Sequence, residues 1–396
     1  MKILQICSKI PFSPKDGGGI AMNILTQGLM DQGNLVHVLA ISTPKHFLQE
    51  DAIDVDYKIK TAYQSVFIDT SVKPFAAVLN LFSSKSYNVI RFYSEAFEKV
   101  LIEKLKSEEY DVVQLESLWV TPYLNGIRKH SKAKIVLRSH NVEYLIWERL
   151  ASEATSSFKK MYFNLLAKRL KKYELNLLNK YDAIACITEL DVAVFKNAGC
   201  NIPLIHIPFG IDLEKYKINN SNLEKSSVFH IGAMDWQPNI DGVNWFLNNA
   251  WNKLLGLHPS LKLYLAGKNI TSNFNQPNVV VDGEVADAHC YISSKSIMII
   301  PLSSGGGMRV KIIEGMALGK TILSTSIGAE GIEYENKKNI LIADSPNEFI
   351  DAVDKCINDV TFAEMLGKNA RLLVETKYNN QLICNKLSEF YKNLIK

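Results

Sequence analysis

Short apolar runs alternate with longer segments of helical periodicity along nearly the whole chain, and they do so in two blocks. The first block holds KILQIC (2–7), LVHVLAI (35–41), DVVQLE (111–116), KIVLRS (134–139) and DAIACIT (182–188). The second holds VFHIG (228–232), LKLYLAG (261–267), NVVVDG (278–283), SIMIIPL (296–302), TILSTS (321–326) and NILIAD (339–344). Runs without polar alternation, spaced by helices, belong to strands buried on both faces, which means parallel sheets with crossover helices. Between the blocks, IDLEKYKINNSNLEKSS (211–227) is polar and lacks apolar periodicity, as a linker would. A single core rarely grows past roughly 250–300 residues, and this chain has 396. The expected architecture is therefore α/β, with two doubly wound, Rossmann-like domains facing a cleft. Residues 1–208 form the first domain, 209–376 the second, and 377–396 a helix packing back on the first. Ligands of such sheets bind at the carboxyl ends of the strands.

Composition removes several classes. No apolar run approaches the ~20 residues that span a bilayer, and the first residues, MKILQICSKIPF, lack the long apolar stretch of a signal peptide. Six scattered cysteines without Cys-x-x-Cys or Cys/His spacing argue against zinc and disulfides and for a reducing cytosol. A net charge of +4 does not call for nucleic acid.

The most informative stretch is SSGGGMRVKIIEGMALGK (303–320). It follows a strand and opens a helix whose Val310, Ile313 and Ala317 recur at helical spacing. Gly305, Gly306 and Gly307 let backbone N–H groups approach an anion, and a helix N-terminus carries unpaired donors and partial positive charge. Arg309 and Lys311 add two full charges, which suits a diphosphate. Glu314 would repel that anion but can hold a vicinal diol such as a ribose. The alternative is a glycine turn with a helix-stabilising Lys311–Glu314 pair. Neither a Walker loop nor a Gly-x-Gly-x-x-Gly fingerprint is present. Asp54 and Asp56 form an Asp-x-Asp pair in a charged stretch without partner acids, so they read as solvated surface, with no metal required.

GGGMRVKIIEGMALGKTILSTSIGAEGI (305–332) resembles the donor motif of the retaining glycosyltransferase family 4, in its branch with a Gly-Gly-Gly-x-Arg-x-Lys turn. PFSPKDGGGIAMNIL (11–25), LRSHNVEYLIWERLA (137–151), IHIPFGIDLEKY (205–216) and FHIGAMDWQPNIDGVNWFL (229–247) are similar to that family's first glycine loop, His-containing loop, interdomain crossing and first donor-domain βα unit. The resemblance implies a GT-B fold and a nucleotide sugar donor without a metal or other cofactor. It implies transfer to a glycan or lipid-linked acceptor. By the same resemblance Glu314 holds the ribose, His140 lies near the donor sugar, and Gly18 and Gly19 face the donor phosphates and acceptor. Gly305, Gly306, Gly307 and Met308 would line the donor. The catalytic set is His140, Arg309, Lys311 and Glu314. Two departures matter. The family's first motif glutamate is replaced by Gly306, and the Arg and Lys usual after the first donor-domain strand are absent at Gly232–Asp235, where Arg309 and Lys311 are the available substitutes.

Other readings stay open. His140 is also consistent with a structural histidine, Glu143 with a first-turn acid, and Gly17–Gly19 with a flexible loop. The helical segment 156–181 carries Phe158, Tyr162, Leu165, Leu166, Leu170, Tyr173 and Leu177 on one stripe, with seven basic residues against a single acid, Glu174. Its basic face is either solvated or docked on an anionic membrane, which would place a cytoplasmic protein at the inner face of the membrane. A non-catalytic nucleotide-sugar binder and another GT-B chemistry, such as a sugar-nucleotide epimerase, are the competing functions.

Overall fold

The computed structural model describes residues 1–12, 17–73, 75, 79–80, 83, 85–219, 221–270 and 274–396. The chain divides into two compact units, Met1–Gly210 with Asn380–Lys396, and Ile211–Asn379.

In unit 1 the strands are β1 (Lys2–Cys7), β2 (Leu35–Ser42), β3 (Gln64–Phe67), β4 (Val112–Glu116), β5 (Lys134–Ser139), β6 (Ala183–Cys186) and β7 (Leu204–His206). They form one sheet in the order β3-β2-β1-β4-β5-β6-β7, parallel throughout. Alternate residues enter different cores. Leu4, Ile6, Val113, Leu115, Ile135 and Leu137 face one helical layer. Ile3, Val36, Val112, Val136 and Ala183 face the other, made by the helices Gly17–Asp31 and Asn380–Ile395 through Leu25, Leu29, Ile383 and Leu387. Burial on both faces is why the strands read as continuous apolar runs. The chain extends the sheet leftward from β1 and then returns to its other side at β4. The switch point therefore lies between β1 and β4.

Unit 2 repeats the plan with β8 (Glu224–Ile231), β9 (Lys262–Ala266), β10 (Val279–Gly283), β11 (Lys295–Ile300), β12 (Thr321–Ser324) and β13 (Leu341–Ile342). The order β10-β9-β8-β11-β12-β13 is again parallel, with its switch point between β8 and β11. Trp251, fully buried in the core with Phe246 and Phe349, donates to Pro277 O at 2.9 Å.

Three expectations are corrected. The stretch 211–227 is not all linker, because β8 starts at Glu224. This polar end is held from a distance, with Tyr264, Lys262 and Lys295 all donating to the Glu224 carboxylate. Gly17–Gly19 are not a loop but the first turn of the helix Gly17–Asp31, where a residue gives up no intrahelical N–H bond; residues 13–16 of the preceding stretch lie outside the described residues. The helix Ser157–Leu177 buries Leu166, Leu170 and Leu177 as its stripe requires, but Phe158 is 77% exposed and Met161 63%. Its single acid, Glu174, is buried.

The helices Gly17–Asp31 and Asn380–Ile395 meet at Gly28, where an added Cβ would overlap Asn380 Nδ2 and Cys384 Sγ. Asn380 Nδ2 donates there to Ile24 O at 2.9 Å. Gly28→Leu should destabilise unit 1 by about 1–3 kcal/mol, the usual cost of overpacking. Urea denaturation checks this, and an unchanged midpoint would mean the helices part freely.

Candidate functional site

The switch point of unit 2 is closed by the stretch the sequence singled out. Gly305–Gly307 follow β11, with Gly305 at φ +103° and Gly307 at +81°, in the region that favours glycine. At Gly305 a Cβ would also press on the Trp236 ring. Arg309 is the N-cap residue of the helix Val310–Ala317. Its Nη1 donates to Gly306 O and Gly307 O, and its guanidinium lies 5.1 Å from the Trp236 ring centroid. The cation thus braces the glycine turn and is itself stacked on an aromatic face.

Lys311 reaches across to the end of β8. Its Nζ donates to Asn239 Oδ1 at 2.9 Å and Ile231 O at 3.2 Å, and it lies 3.3 Å from His230 Nε2. His230 Nδ1 donates to Ile299 O at 2.9 Å, which leaves Nε2 as the acceptor for Lys311. Burial, then the Lys311 charge, holds His230 well below the ordinary imidazole range and so neutral. Burial, with Arg309 nearby, pushes Lys311 down to about 7. A Cβ at Gly232 would come within 2.9 Å of Lys311 Nζ, so the absent side chain makes room for the ammonium.

Glu314 lies one turn further along. Tyr216 Oη donates to its Oε1 at 3.0 Å, and the Tyr216 ring packs on His289 with centroids 4.3 Å apart. Burial raises the Glu314 carboxyl, while the Tyr216 hydrogen bond and His289 oppose that rise. Lys311 and Glu314 therefore have separate partners rather than each other. Met308 is partly buried within the turn. Sequence reasoning missed Trp236, Asn239, His230 and Tyr216. The first three sit in the quoted βα unit 229–247, but their pairing with residues 309 and 311 spans some 70 to 80 positions.

Unit 1 carries the remaining candidates at the carboxyl ends of its strands. Gly18 and Gly19 open the helix that follows β1, and His140 follows β5. His140 Nε2 lies 2.6 Å from Oε2 of Glu116, the fully buried last residue of β4. Glu143 is buried beside Glu174, whose two oxygens accept the N–H groups of Glu143 at 3.2 Å and Tyr144 at 3.1 Å. Glu174 thus caps the helix Glu143–Glu153 from another helix. Asp54 caps the helix Val55–Lys60, accepting from Tyr57 N at 2.9 Å, and Asp56 pairs with Lys60 at 2.6 Å. Among the described residues no group of three or more His, Cys, Asp or Glu side chains could hold a metal ion, and no helix is long and apolar enough to cross a membrane.

Residues 225–359 match the family model described as "Glycosyl transferases group 1". The chain is 23% identical over 399 residues to an uncharacterized 44.6 kDa protein in the cps region of Klebsiella pneumoniae, covering 96% of this chain and 97% of that one. It is 24% identical over 205 residues to the capsular polysaccharide biosynthesis glycosyltransferase CapM of Staphylococcus aureus, covering 47% of this chain and 53% of that protein. Among solved structures it is similar to sucrose-phosphate synthase from Thermosynechococcus elongatus, with a TM-score of 0.72 at 14% identity, covering 100% of this chain and 99% of that one. It is also similar to Anabaena HepE in complex with UDP and glucose, with a TM-score of 0.67 at 14% identity, covering 99% and 100%. The chain has the two-domain GT-B fold, and the stretch similar to glycosyl transferases group 1 lies within unit 2.

The Glu143–Glu174 pair makes unit 1 sensitive to pH. Burial, foremost, raises both carboxyls, to about 7 and about 8. A carboxyl raised on folding contributes stability that is complete below its unfolded value and lost as pH rises through the folded one. Unit 1 should therefore lose on the order of 1–3 kcal/mol between about pH 5 and pH 8.5. Glu174→Gln, which keeps an acceptor for the helix cap, should remove much of that loss. Denaturation curves at the two pH values check it, and an equal slope in wild type and variant would contradict the pair's role.

Proposed function

We propose that this chain is a retaining, metal-independent glycosyltransferase of family 4. It moves a sugar from a nucleoside diphosphate sugar to an acceptor hydroxyl in bacterial surface-polysaccharide or glycolipid assembly. One observation carries this reading. The unit 2 switch point combines a glycine turn, a helix N-terminus, two cations and, one turn away, a carboxylate held by a tyrosine. A diphosphate fits the first three, and a ribose diol fits Glu314. Lys311 supplies its charge beside Gly232, at the end of β8, from a different element than the family's usual cations. Three protein acceptors hold this amine in place, and an arriving diphosphate favours its charged form, which burial otherwise weakens. Such preorganised charge stabilises a leaving group without reorganising when the bond breaks. UDP in the HepE structure makes uracil the first base to test, and the capsule glycosyltransferase relative supports a polysaccharide acceptor.

In the proposed reaction the anomeric C–O bond to the diphosphate breaks and a C–O bond to the acceptor oxygen forms on the same face. The acceptor's proton passes to the departing phosphate oxygen, so no separate base is required. Arg309, Lys311 and the turn's N–H groups offset the growing negative charge. His140 contacts the transferred sugar, and Gly18 and Gly19 leave room for the phosphates and acceptor. The basic helix Ser157–Leu177 exposes Phe158 and Met161 beside Lys159 and Lys160, a combination that suits the anionic inner face of a membrane carrying a lipid-linked acceptor.

Nucleoside diphosphate release from UDP-, GDP- and ADP-sugars tests the reading. One donor should turn over, and Arg309→Ala and Lys311→Met should each lower the rate roughly 100-fold or more. EDTA should leave the rate unchanged. Wild-type rates in both variants would refute the diphosphate assignment, full loss with EDTA would require a metal, and tight binding without turnover would identify a nucleotide-sugar binder.

A further inference from the structure

Unit 1 contains a buried polar network that the proposed reaction has not used, centred on Glu116 at the switch point between β1 and β4. Gln5 on β1 pairs in register with Gln114 on β4, and Glu116 lies two residues along on the same face of the sheet. Gln5, Gln114 and Glu116 are all fully buried. Gln5 Nε2 donates to Glu116 Oε1 at 2.8 Å, and Gln114 Nε2 donates to the same oxygen. The far ends of both amides are also occupied. Thr26 Oγ1 donates to Gln5 Oε1 at 2.5 Å, and Tyr391 Oη donates to Gln114 Oε1 at 2.6 Å. Each amide therefore presents its acceptor outward and its donor inward, to Glu116.

Two amides aimed donor-first at one oxygen favour an ionised Glu116 carboxylate, which has only acceptors to offer. Burial raises its carboxyl, but the hydrogen bond and charge of His140, then the charge of Arg138 and the Gln5 hydrogen bond, outweigh this and keep it below the ordinary range. A carboxylate only accepts, so the atom 2.6 Å from its other oxygen, His140 Nε2, must carry a proton. The imidazole is thereby fixed in tautomer and orientation, with Nδ1 as the ring nitrogen left for a ligand.

We propose that Glu116 is a positioning residue for the transfer reaction. It locks His140 with Nε2–H turned to the protein interior and Nδ1 presented to a hydroxyl of the transferred sugar. The proposal deepens the glycosyltransferase reading and rests on it for the identity of the ligand; the Glu116–His140 geometry does not depend on it. The network also explains why helix Asn380–Ile395 belongs to unit 1 chemically as well as by packing. Tyr391 on that helix orients Gln114, and Gln114 helps hold the anion that orients His140.

Histidine-selective 15N NMR, with the His140 signal assigned by His140→Ala, reads the tautomer directly. In the wild type Nε2 should carry the proton; a bare Nε2 would overturn the proposal without any variant having to fold. Glu116→Gln keeps the shape and turns an amide N–H toward His140, so the neutral ring should switch to the Nδ1–H form. Turnover of the donor found above should then fall roughly 100-fold. In a His140→Ala background, Glu116→Gln should cost almost nothing further, because the carboxylate acts through the imidazole. An equal fall in both backgrounds, or an unchanged rate once the tautomer has switched, would overturn it. If no nucleotide sugar turns over at all, the glycosyltransferase reading fails and takes the sugar-facing role of Nδ1 with it. The wild-type spectrum still decides separately whether Glu116 fixes His140.

Discussion

The ammonium of Lys311 has three hydrogens and three protein acceptors, and much of unit 2's candidate site follows from satisfying them. Asn239 Oδ1, Ile231 O and His230 Nε2 surround it. The last can accept only because His230 spends its Nδ1 proton on Ile299 O of the neighbouring strand β11. One lysine thus ties the helix Val310–Ala317 to both strands that flank the switch point. A side chain at position 232 would stand where the ammonium lies. A lysine buried among neutral acceptors is held below its ordinary pKa, so the site gains from any anion that arrives.

Arg309 shows the complementary arrangement. By donating to two carbonyls of its own glycine turn, it points those oxygens inward to itself. Trp236 limits its movement from the other side and leaves no space for a side chain at Gly305. One turn on, Tyr216 fixes Glu314 through one oxygen, and Arg371 holds the Tyr216 carbonyl at 2.8 Å. Charge of opposite sign is thus separated along one short helix, cations at its start and a carboxylate one turn in.

What could be read from the sequence was what local pattern encodes. Central strands such as β1, β4 and β11 read as mainly apolar runs without polar alternation because both faces are buried, and the glycine turn stands out because φ near +100° has few other solutions. Strands β3 and β7 were missed because they are short and only partly buried at the sheet edges. The polar start of β8 was read as linker because Glu224 gains its partners from Tyr264, Lys262 and Lys295, about 40 to 70 residues away. Glu174 looked like a stray acid on a basic helix, since its role is to cap a different helix. Glu116 carried no signal at all: its partners Gln5 and His140 come from other strands, and an acid closing an apolar run is unremarkable.

The central claim is that Glu314 and the turn before it form a nucleotide site. The most direct measurement is a set of four dissociation constants, wild type and Glu314→Gln against a donor and its 2'-deoxyribose analogue. If the carboxylate holds the ribose, each change alone should weaken binding, and the second should add little once the first is made, because both remove one contact. Strict additivity of the two losses would show that Glu314 does not touch the ribose and would contradict the nucleotide account of the site.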